Sequence, residues 1–167
     1  MEKRRGVVAL ALIFCAIFLS GCNDGGKIWE EYRKESFRTL ISYEREGVTV
    51  CARVSVVRSE AGDEITAEFS APEALRGAIG RAFGDSAALS CCNLELVGDA
   101  AESVMAVPIA LAARDAIGFE ILRGADGKSV SVAVDGGWLI FDAESRELTG
   151  ADLCGTECKI ISFLRGK

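Results

Sequence analysis

The stretch from Val48 to Ser70 runs Val48-Thr49-Val50-Cys51-Ala52-Arg53-Val54-Ser55-Val56, crosses a polar turn over 59–63, and resumes as Glu64-Ile65-Thr66-Ala67-Glu68-Phe69-Ser70. In the first half Val48, Val50, Ala52, Val54 and Val56 share one face, and Thr49, Cys51, Arg53 and Ser55 share the other. A period of two with β-branched residues is the pattern of a strand that buries one side. Ile65, Ala67 and Phe69 repeat it against Glu64, Thr66 and Glu68. The turn between them holds Gly62 and is far too short for a crossover helix. The two strands are therefore expected to form an antiparallel hairpin.

Working outward, Phe37, Thr39, Ile41 and Tyr43 alternate with Arg38, Leu40, Ser42 and Glu44. That reads as a strand reaching Arg45, with Glu46-Gly47 as its turn; a helix through the segment is the alternative. Residues 28–35 read as a short helix with Trp29 and Tyr32 on one side. On the other flank, Pro72 to Gly77 has the form of one helical turn, with Pro first and Gly last. A strand over 79–83 and a single strand over 88–97 are expected next, the latter with Cys92, Leu94 and Leu96 on one face. A polar loop over 98–103 then leads to a helix over 108–117, opened by Pro108 and closed by Gly118. Short strands complete the chain at 119–122, 130–134, 138–142, 151–154 and 158–164, with Asp135-Gly136-Gly137 as a hairpin signal. The fold class expected is α+β: one curved antiparallel sheet of about eight to ten strands, a half-barrel, covered by two or three short helices at 28–35 and 108–117.

The start of the chain has another texture. Glu2-Lys3-Arg4-Arg5 is net basic, Gly6 to Phe18 is an unbroken apolar run, and Leu19-Ser20-Gly21-Cys22 follows. A basic opening, a short apolar core and a small-residue exit are the layout of a secretory signal. The run falls short of the ~20 apolar residues of a bilayer span. The closing four residues resemble a bacterial lipobox. That resemblance implies cleavage between Gly21 and Cys22 and a diacylglyceryl group on Cys22, which becomes the first mature residue. An uncleaved anchor, or a plain secretory signal in which Cys22 is incidental, is the alternative. The expected organisation is a signal peptide over 1–21, a lipidated cysteine and tether over 22–27, and one domain over 28–167.

The whole chain carries a formal charge of −6, and the leader carries +2, so the mature part carries −8. Such a body disfavours nucleic acid, whose binding rests on clustered Lys and Arg, and docking by charge on anionic headgroups. Attachment to the extracytoplasmic face of a membrane is then expected to come from the lipid, because two acyl chains hold stably where one does not. No cofactor is expected.

Half of the residues are apolar and only 7% are aromatic, and there is no histidine. The commonest general base and metal ligand is thus missing, and no catalytic set can be assembled from the sequence; the protein is read as non-enzymatic. Cys51, Cys91, Cys92, Cys154 and Cys158 remain in the mature part. Cys154 and Cys158 are the candidate disulfide, because three intervening residues suit a tight hairpin whose flanking residues face each other. A link from Cys91 or Cys92 to Cys154 is the alternative. It would close a longer loop, contributing roughly 4 kcal/mol against roughly 2 kcal/mol on the loop-closure model. Four of these thiols could be imagined around zinc, but neighbours in a strand point to opposite faces, so no metal site is assigned.

The segment Phe69-Ser70-Ala71-Pro72-Glu73-Ala74-Leu75-Arg76-Gly77, a strand running into Pro-Glu and Leu-x-Gly, is followed by a helix and then by strands ending in Ile160-Ile161-Ser162-Phe163. In this order of elements the chain resembles the LolA/LolB-type lipoprotein carriers. The resemblance implies a half-barrel closed by helices and a cavity for a lipid or another apolar ligand. An envelope interaction or structural lipoprotein, its core filled by its own side chains and its protein partner unknown, is the alternative. The lipobox yields a direct expectation: Cys22→Ala leaves an unprocessed precursor or moves the protein out of the membrane fraction, as read by fractionation and intact mass. Unchanged processing and fractionation would refute it.

Overall fold

The computed structural model describes residues 25–125 and 127–166, and of residues 118–120 the backbone only. The leader, Gly21, Cys22 and the loop residue Asp126 lie outside the described residues. Helix α1 occupies 25–32, a little ahead of the expected 28–35. Then come β1 (Phe37–Arg45), β2 (Val48–Ser59) and β3 (Gly62–Ala71), a single 3-10 turn (Glu73–Leu75), and β4 (Ile79–Phe83), β5 (Ser86–Cys91) and β6 (Leu94–Val97). Helix α2 (Asp99–Leu111) crosses to β7 (Ala116–Arg123), β8 (Ser129–Val134), β9 (Gly137–Asp142), β10 (Leu148–Leu153) and β11 (Thr156–Arg165). Among the described residues no helix is long and apolar enough to cross a membrane.

All eleven strands form one antiparallel sheet, ordered β6-β5-β4-β3-β2-β1-β11-β10-β9-β8-β7. The first and last strands are neighbours in its middle, with Phe37 opposite Arg165 and Tyr43 opposite Cys158. The sheet is thus two meanders joined along the β1·β11 seam. The hairpin expected from residues 48–70 is β2·β3, with Val54 opposite Ala67 and Val56 opposite Ile65. The segment 37–45 is a strand, so the helical alternative there falls away.

Three expectations need correction. The single strand over 88–97 is two strands. Cys92 and Asn93 form a two-residue turn with φ of 52° and 67°, and Cys91 faces Leu94 across it. Asn is one of the few side chains that tolerate the left-handed region, which is how the chain turns here without glycine. The helix over 108–117 is instead Asp99–Leu111, and Pro108 sits inside it. The polar run over 98–103 is its first turn: Gly98, at φ 74°, redirects the chain, and Asp99 and Glu102 suit the positive end of the helix. Lastly, β10 begins at Leu148, three residues ahead of the strand expected over 151–154.

The inner face of the sheet is one continuous core. Val50, Ala52, Val54 and Val56 from β2, Ile65, Ala67 and Phe69 from β3, Val130, Val132 and Val134 from β8, and Leu139 and Phe141 from β9 are buried in it. Helix α1 lays Ile28, Trp29 and Tyr32 onto this face, and α2 adds Ala101, Met105, Val107 and Leu111. Tyr32 stacks on Phe37 and Phe163 and meets Phe141 edge-on.

The two helices are also tied by polar groups. The last carbonyls of a helix have no partner within it. Here the buried Tyr32 hydroxyl donates to the Leu111 carbonyl, and the Arg58 guanidinium donates to that of Ala112. Arg58 also pairs with Asp63, which Arg114 clamps from the other side.

Gly80 on β4 lies directly against the Met105 side chain of α2. A Cβ placed there would run into the Met105 side chain, sulfur first. Gly80→Ala is therefore expected to destabilise by about 1–3 kcal/mol through overpacking. A fall in the urea midpoint with an unchanged slope would show it; an unchanged midpoint would mean that Met105 moves aside freely.

Candidate functional site

The half-barrel reading needs an accessible space under the helices, bordered by Val50, Val54, Ile65, Phe69, Val132 and Val134. All six are buried against the protein's own side chains. Phe69 alone also borders an open groove, shared with Leu40, Arg53 and Ile79.

Among the exposed apolar residues, a contiguous set lies at the β6 end of the sheet. Strand β6 is one of the sheet's two edges, the other being β7, and it is paired only to β5. Every one of its four residues is exposed, with Leu94 at 76%, Leu96 at 46% and Val97 at 66%. Opposite residues share a side of a sheet, so Leu96, facing the buried Leu89, carries the inner apolar face out past the cover of α2. Around the end of this strand runs a groove of about 570 Å³, lined by Phe83, Ala88, Val97 and Gly98 and by Glu64, Arg81, Asp85 and Glu102. Three carboxylates against one guanidinium make it acidic. An edge strand presents a row of unpaired N–H and C=O groups to any extended segment, and natural proteins normally blunt it with Lys, Pro or a bulge. Residues 94–97 carry only Glu95 in that role.

A smaller cleft of about 330 Å³ lies between α2 and the turns of the β8–β9 and β10–β11 hairpins. Ala106, Ile109, Ala110 and Ala113 form one wall, and Asp135, Gly136 and Cys154 form the other.

The candidate disulfide of Cys154 and Cys158 is not formed, and all five described cysteines are free. The β10–β11 turn explains why. Cys154 takes a left-handed turn position at φ 55°, leaving Leu153 to face Thr156 and Ala151 to face Cys158. Cys158 is buried in the core while Cys154 is exposed, so the two are not cross-strand neighbours. Burial pushes the Cys158 thiol up to about 12 and raises Cys154 as well, against the pull of Arg45. Cys91 and Cys92 come together, their sulfurs 3.6 Å apart. No group of three or more Cys, Asp or Glu gathers at metal-binding range among the described residues.

The exposed edge escapes a sequence reading because residues 88–97 carry the pattern of one strand. The signal available is Asn93, a turn former between two apolar runs. That β6 has no second partner is not written in its own residues.

No family model matches the chain, and no curated protein matches its sequence. Among solved structures, an uncharacterized conserved protein from Thermus thermophilus is similar with a TM-score of 0.54 and 12% identity, over 87% of each chain. MucB is similar with a TM-score of 0.51 and 17% identity, over 89% of this chain and 60% of that one. The chain thus spans less than two thirds of the MucB structure. A proposed outer membrane lipoprotein-sorting protein domain from Vibrio parahaemolyticus aligns at a TM-score of 0.44 and 11% identity, over 87% and 94%. The first two show a shared fold.

The cysteine geometry has a direct readout. In the reduced, folded protein, iodoacetamide should label the exposed Cys154, slowly because its thiol is raised, and leave Cys158 untouched until denaturant is added, as mapped by mass spectrometry, because burial closes that thiol to the reagent. Equal labelling of the two would contradict the burial of Cys158.

Proposed function

We propose that this chain is a lipid-anchored, extracytoplasmic, non-enzymatic interaction module, held to the membrane through Cys22, that binds a protein segment along the free edge of its sheet. The observation carrying this reading is an edge strand whose four residues are all exposed, Leu94, Leu96 and Val97 among them, while the inner face is taken up by α1 and α2. The chemistry of the edge describes the partner. An extended segment adds a strand to β6 by main-chain hydrogen bonds, with alternate side chains going to the two faces. Apolar residues meet Leu94 and Leu96, and a Lys or Arg at the end of the added strand meets Glu102 in the groove beside Val97.

A second reading has its own observation in the small cleft under α2. Its alanine-rich wall suits an apolar molecule of modest size, and about 330 Å³ is near the lower end of ligand pockets. In that reading the protein holds a lipid or other apolar ligand, as the resemblance to lipoprotein carriers implies.

One experiment separates the two. A photo-crosslinking residue is placed at Leu96 and, as a control, at the exposed outer-face residue Ile161 in cells, and the full-length protein is taken from detergent into native mass spectrometry. The interaction reading expects a discrete crosslinked product from position 96 alone, lost when Leu94→Lys is added, and a protein mass with no lipid beyond its own anchor. A co-purifying lipid displaced by added fatty acid, with no crosslink at 96, would overturn it in favour of the apolar-ligand reading. A ligand that prefers the folded state must also raise its melting temperature.

A further inference from the structure

The tip of the β5–β6 hairpin holds two adjacent cysteines that neither reading uses. Cys91 ends β5, and Cys92 is the first residue of the two-residue turn, at φ 52°. The turn brings both side chains to the same spot, with Sγ atoms 3.6 Å apart and the Cys91 thiol donating to Cys92 Sγ. Cys92 is exposed and Cys91 half-buried. The hydrogen bond to Cys92 is also what chiefly raises the Cys91 thiol above its ordinary value. The two sulfurs are therefore unequal. Cys92 is open to solvent and already accepts a hydrogen bond, while its neighbour holds its proton and stands behind it.

We propose that Cys91 and Cys92 form a thiol–disulfide exchange site whose substrate is a low-molecular-weight or exposed protein disulfide. In the first step the Cys92 thiolate attacks one sulfur of the disulfide RSSR, forming a mixed disulfide and expelling one RS⁻. Cys91, having lost its proton to solvent, then attacks Cys92 Sγ and expels the second RS⁻. The products are a vicinal Cys91–Cys92 disulfide and two thiols, so two electrons pass from the protein to the substrate. The sulfurs need to close from 3.6 Å to a bond of about 2.05 Å. Adjacent Cα atoms stand about 3.8 Å apart across a trans peptide, below the usual disulfide range of roughly 4.4–6.8 Å. The ring is consequently strained and readily reduced back to the dithiol, so net transfer of electrons to the substrate needs its disulfide in excess over free thiol. The site is suited to reversible cycling. Its closure acts on the turn that holds the short strand β6 against β5.

The test uses the reduced full-length protein in detergent, exposed to oxidised glutathione. Trypsin releases residues 82–114, in which Cys91 and Cys92 are the only cysteines. The expected result is a peptide lighter by two hydrogen atoms, restored by dithiothreitol, with no lasting glutathione adduct. Cys91→Ser should trap the adduct on Cys92. Cys92→Ser should slow modification of this peptide at least tenfold, while Cys154, elsewhere in the chain, reacts as before in both variants. Thermal melts of the variants check that the hairpin tip still folds. A wild-type peptide that keeps two free thiols, or accumulates stable adducts on both cysteines without ring closure, would overturn the proposal.

Discussion

The Tyr32 hydroxyl reaches across 79 residues to the carbonyl of Leu111, and the rest of the molecule is arranged around that contact. Both groups are buried, and an unpaired buried acceptor costs roughly 1–3 kcal/mol. The bond therefore fixes where α1 and α2 sit relative to each other over the sheet. Arg58 reinforces it at the next carbonyl and lies over the Tyr32 and Phe37 rings at 5.9 and 5.8 Å. Its Nε and Nη2 atoms have no hydrogen-bond partner in the described structure; the aromatic faces beside them supply part of the stabilisation. Asp63 completes the group. Its burial works against ionisation, but the hydrogen bonds from Arg114 and Arg58 outweigh that and hold its carboxyl below the ordinary 3.8. A depressed folded value means that this contribution is present above the unfolded value and is lost as pH falls below about 3.8 through the lower folded one. Near neutrality the clamp does not respond to pH.

With the helices pinned, the inner face is committed to the core, and the sheet ends in two open margins, β6 and β7. The two margins differ. Strand β7 follows closely on the C-terminal end of α2 and leaves Ile117 and Leu122 exposed. Strand β6 is shorter, exposed throughout, and bordered by an acidic groove. The dithiol at its turn places a chemically reactive group right beside that edge. In the proposed reading, one hairpin of a rigid body carries both the docking edge and the exchange site.

The sheet was legible wherever a strand carried strict alternation between turn residues, as in Val48–Val56, Ile65–Phe69 and Val130–Val134. There the local pattern and the global fold agree. Strand pairing by hairpins followed from the short loops. The helix was misplaced because Pro108 and Gly118 resemble a start and a stop, while Asp99 to Ser103 resembles a loop. Burial decided otherwise: Ala101 and Met105 face the core, and tertiary packing overrode the cost of an internal proline. The disulfide expectation failed on register, because a two-residue turn at Cys154-Gly155 places Cys158 too far along the ladder. The candidate site was the least legible part. Exposure of Leu94 and Leu96 depends on a strand being absent beside them, and no residue in the sequence records that.

The β1·β11 seam sets a temporal order on folding. Every other strand pair in the sheet joins consecutive strands, whereas this one joins the two ends of the domain, with Phe37 against Arg165. Closing so long a loop costs entropy before any contact offsets it, and folds dominated by such distant pairings form slowly. Each meander can assemble as it emerges, but β1 stands as a second free edge until the final strand arrives to lie beside it. A chain delivered from its N-terminus thus waits, half-built and with its central strand open, for the 10 residues of β11. Until β11 docks, β1 and β10 both present unpaired backbone N–H and C=O groups.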